Sequence, residues 1–158
     1  MKFKLVEEVQ LDKDGNFISS IEPDFKRGNT YQLYDFDFKE VTPDMYSVIE
    51  EQSFANTDEF KNAYTVSWWD GENLVAIVSD FDDANGDRWL SYLEVTEKYR
   101  GHGLSSQLLD FAIKDLGCTY LGVSKKNEVA ISVYEKAGFV NLGEHPDNPN
   151  QYMMRLKK

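Results

Sequence analysis

The first half of the chain alternates hydrophobic and polar residues at the period of two that is typical of β-strands. Residues 31–38 alternate in this way, and so do residues 64–69, 74–81 and 88–95, which are separated by short stretches rich in Asp, Asn and Gly. Short connections join antiparallel neighbours, because a parallel pair needs a crossover of a dozen or more residues. The pattern therefore predicts an antiparallel β-meander that ends at residue 95.

Two short helical segments are predicted between the first strand and the meander. Thr42 suits the capping position of a helix, and Pro43 suits the first helical position. The apolar residues that follow keep helical spacing as far as Phe54. Residues 57–63 predict a second, shorter helical turn.

The second half of the chain alternates helix and strand. Apolar residues at helical spacing from Leu104 predict a helix that Gly117 ends. Residues 118–123 then predict a strand, and residues 127–137 predict another helix. A strand, a helix and a strand in succession form a right-handed parallel crossover, so strand 118–123 should lie parallel to strand 88–95.

The two ends of the chain predict further strands. Residues 2–9 and 16–21 alternate around a turn and predict a β-hairpin. At the other end, residues 139–142 and 152–156 predict two strands. Between them, residues 143–151 are rich in Pro and Asn and predict a polar loop.

Composition indicates one domain with a substantial core, since the chain has 158 residues and is 41% hydrophobic. We expect a mixed α/β fold over residues 1–158, in which an antiparallel N-terminal meander joins a parallel strand pair flanked by helices. Within it, we expect residues 1–30 to be a hairpin extension of unassigned role. Acids near the start and the lack of a long apolar run predict a soluble, cytoplasmic protein that does not enter membranes. We expect the single cysteine, Cys118, to be a small buried core residue. His145 lies in the predicted polar loop and suggests no metal site.

The net charge of −11 is unevenly distributed. Residues 1–95 contain 21 acidic and 8 basic residues, whereas residues 96–136 and 137–158 each carry a net charge of +1. An acidic half fits either a solvated surface or a region that attracts cationic ligands. No basic stripe is present to bind phosphate backbones, so nucleic acid is not an expected partner. The oligomeric state stays open, with a homodimer among the options.

A strand-to-helix connection at residues 93–105 carries the clearest chemistry. A helix leaves its first backbone N–H groups without partners and its dipole attracts anions there. Gly101 and Gly103 permit close approach of a ligand to these groups, and Arg100 and His102 stand beside them. Two glycines before a helix are also common turn residues. The combination predicts a phosphate-binding site.

Two motifs resemble those of a known family. Residues 93–105, Leu-Glu-Val-Thr-Glu-Lys-Tyr-Arg-Gly-His-Gly-Leu-Ser, resemble the acetyl-CoA-binding motif Arg/Gln-x-x-Gly-x-Gly/Ala of GNAT-type N-acetyltransferases. Ser105 stands where glycine or alanine is usual. Residues 127–139, Asn-Glu-Val-Ala-Ile-Ser-Val-Tyr-Glu-Lys-Ala-Gly-Phe, are similar position for position to the family's following motif, Asn-x-x-Ala-x-x-x-Tyr-x-x-x-Gly-Phe. The resemblance covers roughly residues 90–140 and implies a GNAT-like fold.

The resemblance also implies direct transfer of an acetyl group from acetyl-CoA to a primary amine, without a covalent enzyme intermediate. It assigns Tyr134 as the acid that protonates the departing thiolate, and it assigns the backbone of Leu93 and Val95 to the pantetheine arm. Asn127 either binds this arm or the substrate, caps its helix, or does both. The remaining expected cofactor contacts lie in the turn and the helix start: Arg100, Gly101, His102, Gly103, Leu104 and Ser105.

Such a reaction needs a base, because an amine with a pKa near 10 is only about one part in a thousand deprotonated at pH 7. The sequence offers Glu94, Asp87 and Asp80 and does not choose among them. The acidic residues 1–95 favour a cationic acceptor such as a polyamine, an aminoglycoside-like compound or a protein amine. The alternative is a non-catalytic CoA-binding or protein-interaction module on the same fold.

Overall fold

A seven-stranded mixed sheet forms the centre of the protein. The computed structural model describes residues 31–157, so the hairpin predicted over residues 2–9 and 16–21 lies outside the described residues. Within the described part of the chain, no helix is long and apolar enough to cross a membrane. The strands follow the spatial order β1-β2-β3-β4-β5-β7-β6 and have these bounds: β1 (Asp37–Glu40), β2 (Tyr64–Asp70), β3 (Asn73–Asp82), β4 (Arg88–Val95), β5 (Tyr120–Ser124), β6 (Phe139–His145) and β7 (Asn148–Leu156).

The predicted meander is confirmed, because β2, β3 and β4 pair antiparallel in chain order. Alternation along these strands gives the sheet two apolar faces. One face joins the main core, which includes Leu93, Leu108 and Tyr134. The other face joins the second core, which includes Ile77 and Tyr92. The sheet is therefore covered on both sides.

The prediction of a strand over residues 31–38 is wrong for the first six of these residues. The chain forms a short 3₁₀ turn at Leu33–Asp35, and β1 begins at Asp37. The Gln107 side chain holds this segment by donating to the Tyr31 carbonyl at 2.6 Å and accepting from the Leu33 N–H at 2.9 Å. Hydrogen bonds to a distant helix thus replace the strand ladder that alternation alone predicts.

The first predicted helix forms, but it is short. A 3₁₀ turn at Pro43–Met45 leads into α1 (Tyr46–Gln52). Pro43 takes the expected first position. The Thr42 hydroxyl, however, bonds to the carboxylate of Asp44 and caps no backbone N–H. The second predicted helical turn appears at Thr57–Phe60.

The parallel crossover is also confirmed. α2 (Leu104–Lys114) connects β4 to β5, which run parallel, and α3 (Glu128–Lys136) follows β5. β5 begins at Tyr120, two residues later than the sequence predicts. Cys118 precedes β5 and is buried as expected, and burial raises the pKa of its thiol above the usual range.

The polar loop predicted over residues 143–151 is wrong. β6 and β7 extend through most of it and form an antiparallel hairpin that turns at Pro146 and Asp147. Backbone pairing between the two strands outweighs the polar composition on which the loop prediction rested. His145 ends β6, is buried, and lies 5.6 Å from the Trp89 ring, between ring centroids. Burial lowers the pKa of its imidazole.

Candidate active site

The glycine turn, residues 100–103, brings β4 to the start of α2. Gly101 and Gly103 have φ angles of 80° and 82°, which side chains with a Cβ rarely adopt. Gly103 is the capping residue of α2, and no side chain among residues 31–157 caps this helix or places an acid in its first turn. Because the helix dipole is uncompensated there, this end of α2 favours an anionic group. Leu104 and Ser105 begin the helix and are buried.

A slot opens where β4 and β5 separate. Within residues 31–157, the two strands pair at one position only, Trp89 with Tyr120. β4 also bulges at Ser91, which has no partner where the register with β3 shifts. Bulges increase the local twist and bend a strand away from its neighbour. Beyond Trp89 the two parallel strands therefore diverge towards the glycine turn.

The backbone of β4 faces this slot at alternate residues. The N–H of Thr96 donates to the carbonyl of Val75 on the β3 side at 2.9 Å. Hydrogen-bonded and non-hydrogen-bonded pairs alternate along an antiparallel ladder. Leu93 and Val95 consequently direct their backbone groups away from β3 and towards the slot. These are the two residues whose backbone the sequence resemblance assigned to the pantetheine arm.

Glu94 is a buried carboxylate at the same end of β4. It is 1% exposed and points into the second core, on the face opposite to Leu93 and Val95. The Tyr92 hydroxyl donates to it at 2.5 Å, and the N–H of Phe54 lies 3.2 Å from both of its oxygens. Phe54 follows α1, so the carboxylate joins β4 to the connection after that helix. These hydrogen bonds hold Glu94 in one orientation.

The Arg100 side chain contacts the end of β4. Its Nε donates to the Val95 carbonyl at 2.9 Å, and its Nη2 lies 3.8 Å from Oε2 of Glu94. The side chain is only 13% exposed, and its guanidinium carbon lies 5.8 Å from the centroid of the Phe54 ring. The neighbouring carboxylate attracts the guanidinium inward, and its Nη1 and Nη2 atoms are buried without a hydrogen-bond partner among residues 31–157. A contact between this side chain and phosphate stays a prediction.

The other two candidate bases lie at the opposite end of β4. Asp87 belongs to the β3–β4 connection, where its N–H donates to Oδ1 of Asp83 at 2.9 Å. Seven residues of strand separate it from Glu94, which corresponds to about 23 Å. Asp80 is opposite Leu90 and lies on the main-core face of β3. The structure therefore brings only Glu94 together with the glycine turn.

α3 presents the second predicted set of residues. Asn127 caps the helix by accepting from the N–H of Ala130 at 3.0 Å, which confirms its capping role. Tyr134 lies two turns further along and is completely buried, with its ring 6.1 Å from that of Phe139 in an edge-on arrangement. Both residues belong to the buried face of α3. Tyr134 is part of the main core that also contains Leu93 of β4.

Sequence reasoning missed the contacts of His102. Its ring stacks on Tyr31 with 4.2 Å between centroids, and its carbonyl accepts from the Tyr31 N–H at 2.9 Å. Together with the Gln107 contacts, this packs the segment before β1 against the glycine turn. Nothing in the sequence pattern indicates a contact between residues so far apart, since neither Tyr31 nor Gln107 belongs to a recognisable motif.

A groove between α2 and α3 was also missed. Its volume is about 390 Å³, and it begins beside the first turn of α2 at Ser106. Leu109, Ile113 and Val133 make its apolar walls, and Asp110 and Lys136 are its charged lining residues. A cavity formed by two helices that are distant in sequence has no local signature, so only packing reveals it.

These features define a class of protein. The protein combines a mixed sheet that has a splayed parallel strand pair, a glycine turn after β4, and helices before and after β5 in the chain. This arrangement is an acyl-CoA N-acyltransferase fold. The family model described as "Acetyltransferase (GNAT) family" matches residues 28–139. The chain therefore belongs to this family, and the resemblance carried by the two motifs is confirmed.

Known proteins agree with this assignment. The chain is 33% identical over 82 residues to the spermine/spermidine N(1)-acetyltransferase of Bacillus subtilis (strain 168), covering 48% of this chain and 54% of that protein. The match thus spans only about half the length of this relative. The ribosomal-protein-S18-alanine N-acetyltransferase of Escherichia coli has a similar fold, with a TM-score of 0.58, 19% identity and coverage of 76% of this chain and 92% of that one. A Bacillus subtilis acetyltransferase in complex with CoA gives a TM-score of 0.56 at 16% identity, with coverage of 78% and 99%.

Proposed function

We propose that this protein transfers the acetyl group of acetyl-CoA to a primary amine. The observation that carries the proposal is that a buried carboxylate, Glu94, shares one end of β4 with the glycine turn and with the slot. Acetyl transfer to an amine needs these three elements together: an anchor for phosphate, backbone donors and acceptors for the pantetheine arm, and a group that removes a proton.

The donor would lie across the splayed strands. N–H groups at the start of α2 would bind the pyrophosphate, since Gly101 and Gly103 leave room for close approach. Backbone groups of Leu93 and Val95 would pair with the pantetheine amides along the slot. The groove between α2 and α3 begins at Ser106, near the start of α2, and would hold the nucleotide portion of acetyl-CoA. Lys136 would then be the cation that pairs with the phosphate of this nucleotide.

Glu94 would act as the base that takes the proton of the acceptor amine. Its hydrogen bonds from Tyr92 and Phe54 fix the orientation of the carboxylate. Arg100 is 3.8 Å away and stabilises the ionised form of Glu94 by charge. The backbone N–H of Phe54, after α1, contacts the carboxylate, and the amine would approach beside this connection.

Tyr134 would protonate the thiolate that leaves. A phenol near pKa 10 protonates a thiolate near pKa 8.5 only when it is positioned next to the sulfur. Two observations support this role. Tyr134 lies on the buried face of α3, in the same core as Leu93 of the slot, and its helix is fixed at its start by the Asn127 cap.

The acceptor would be a cationic amine. The related enzyme from Bacillus subtilis carries spermine and spermidine in its name, and residues 1–95 of this chain hold most of its acids. Opposite charges increase the encounter rate, and salt screens this effect over about 8 Å at physiological ionic strength. The acetylation rate of spermidine should therefore fall with added salt. A rate that is independent of ionic strength would contradict a charge-selected acceptor.

A direct assay tests the proposed activity. Full-length protein is mixed with acetyl-CoA and either spermidine, an aminoglycoside or a peptide with a free N-terminus, and release of free thiol is followed. We expect turnover with at least one amine, and a lower kcat in Tyr134→Phe with CoA binding retained. Glu72→Gln, which removes an exposed acid, serves as the control. Binding of CoA without turnover of any acceptor would instead support the non-catalytic module.

A further inference from the structure

A second buried carboxylate lies outside the proposed active site. Asp80 is 4% exposed, and its Oδ2 atom is buried without a hydrogen-bond partner among residues 31–157. Buried polar groups in folded proteins are nearly always hydrogen-bonded, and an uncompensated carboxylate is costly. Asp80 therefore needs an explanation that the acetyl-transfer site does not provide.

The nearest cation is already engaged. Arg88 donates from Nε and Nη2 to the carboxylate of Asp82, at 2.8 and 3.2 Å, and from Nη1 to the carbonyl of Leu116 at 2.7 Å. Each of its nitrogens thus has a partner other than Asp80. Nη1 and Nη2 each carry a second N–H, but neither donates it to Asp80 within residues 31–157, so the carboxylate has no counter-charge in contact there.

Asp80 lines a cavity of about 350 Å³ at the end of the sheet, here called the distal cavity. This volume lies within the range of small-molecule sites in proteins. The remaining lining residues combine an amide, two rings, an acid and the engaged arginine: Asn62, Tyr64, Phe81, Asp82 and Arg88. Rings of this kind accept alkyl chains and cations on their faces.

The distal cavity is separate from the proposed acetyl-transfer site. Asp80 is opposite Leu90, which precedes Glu94 by four residues, or about 13 Å along β4. The two carboxylates also point to opposite faces of the sheet, because Asp80 shares its face with Val78 and Glu94 shares its face with Tyr92. A small ligand at Asp80 cannot contact Glu94.

We propose that the distal cavity binds a primary alkylammonium group, with Asp80 as its counter-ion. The ammonium would supply both the charge and the N–H donors that the buried carboxylate lacks. The methylene chain would lie against the Tyr64 ring, and the amide of Asn62 would border the polar head. This site is independent of the acetyl-transfer proposal, since it involves neither the glycine turn nor the slot.

Binding should depend on pH through Asp80. Burial raises the pKa of this carboxyl to about 6, while Arg88 lowers it and Asp82 raises it further. Two other titratable groups face it from neighbouring elements, Cys118 before β5 and Tyr64 on β2, and the pKa of each is raised, so both are neutral near pH 7. The cation binds the ionised carboxylate, and its affinity should therefore fall about tenfold from pH 7.5 to pH 5.

The test uses n-butylammonium chloride and the full-length protein without acetyl-CoA. Amide resonances of Asn62 and Tyr64 are followed by two-dimensional NMR during the titration. We expect saturable shifts at pH 7.5 that weaken at least about tenfold in Asp80→Asn and remain within about twofold in the surface control Asp58→Asn. Neutral n-butanol should give no saturable shift.

Two outcomes would overturn the proposal. One is the absence of saturable shifts with n-butylammonium at pH 7.5. The other is equal shifts in Asp80→Asn, or with n-butanol, which would indicate apolar contact with the rings and no role for the carboxylate. The amide spectrum of Asp80→Asn reports whether this variant is folded, and removal of an unpartnered buried charge favours the folded state.

Discussion

Glu94 and Asp80 lie on adjacent strands and are both buried, yet their surroundings differ. Glu94 accepts hydrogen bonds from Tyr92 and Phe54 and lies near Arg100. Asp80 has an oxygen without a partner in the described chain, and its nearest cation is held by Asp82. The comparison shows that burial alone does not define the role of a carboxylate. The surroundings of Glu94 fix its orientation, as the proposed base requires, whereas Asp80 lacks the partner that we propose a ligand provides.

The two ends of β4 also differ in their surroundings. The end near Val95 combines the glycine turn, the splayed slot and the start of α2. The end near Arg88 has a tight β3–β4 connection, in which Asp83 accepts from the N–H groups of Asn85 and Asp87 and from the Trp89 indole. At one end the backbone of β4 is directed towards the slot, whereas at the other end side chains of the β3–β4 connection bond its own backbone N–H groups. Variants at matched positions can separate these two roles.

The largest expected effect follows from removing the proposed base. Glu94→Gln keeps the shape of the side chain but cannot accept a proton, so kcat/KM for the amine should fall about 10²–10⁴-fold. Asp87→Asn, the competing candidate at the other end of β4, should change kcat/KM less than about threefold. Thiol release under matched substrate concentrations measures both. A larger loss in Asp87→Asn than in Glu94→Gln would reverse the assignment.

A smaller effect concerns stability and distinguishes Asp80 from an ordinary acid. Its pKa is about 6 in the folded protein, above the ordinary value of 3.8, so the folded state prefers the protonated form. The contribution of Asp80 to the free energy of unfolding therefore decreases as pH rises from about 4 to about 6. The free energy of unfolding of Asp80→Asn should exceed that of the wild type by at most about 3 kcal/mol at pH 7.5, and this difference should vanish below about pH 4.

Urea unfolding of both proteins across this pH range measures the difference. The surface variant Asp58→Asn is the reference, since its carboxylate is exposed and pairs with the exposed Lys61. A constant difference between Asp80→Asn and wild type at all pH values would show that the carboxylate is not destabilised by burial.

The smallest effect compares two glycines at the two ends of β4. Gly103 and Gly86 have nearly the same φ, 82° and 83°. An alanine in this conformation costs about 1–2 kcal/mol, so both alanine variants should lose a similar free energy of unfolding. Only Gly103→Ala should weaken the binding of CoA, by about tenfold, because the Cβ of the alanine would lie at the start of α2, where phosphate would approach. Calorimetric titration with CoA measures this, and equal affinities in the two variants would exclude a phosphate site at the glycine turn.

Local patterns in the sequence determined the elements that later formed the site. Period-two alternation predicted β2, β3 and β4, and helical spacing with a terminal glycine predicted α2 and α3. These predictions succeed because neighbouring residues alone decide which face of a strand or helix is apolar. The two family motifs lie within these elements, so the sequence also indicated the glycine turn, Asn127 and Tyr134 as parts of one site.

Tertiary structure decided everything that depends on residues far apart in the chain. The segment before β1 is a 3₁₀ turn because Gln107 bonds to it, and the polar residues before Gln151 form a hairpin because two strands pair there. Among the three candidate bases, only packing separates Glu94 from Asp87 and Asp80. Burial and hydrogen-bond partners set the role of a carboxylate, and both are properties of the folded chain that its local sequence does not contain.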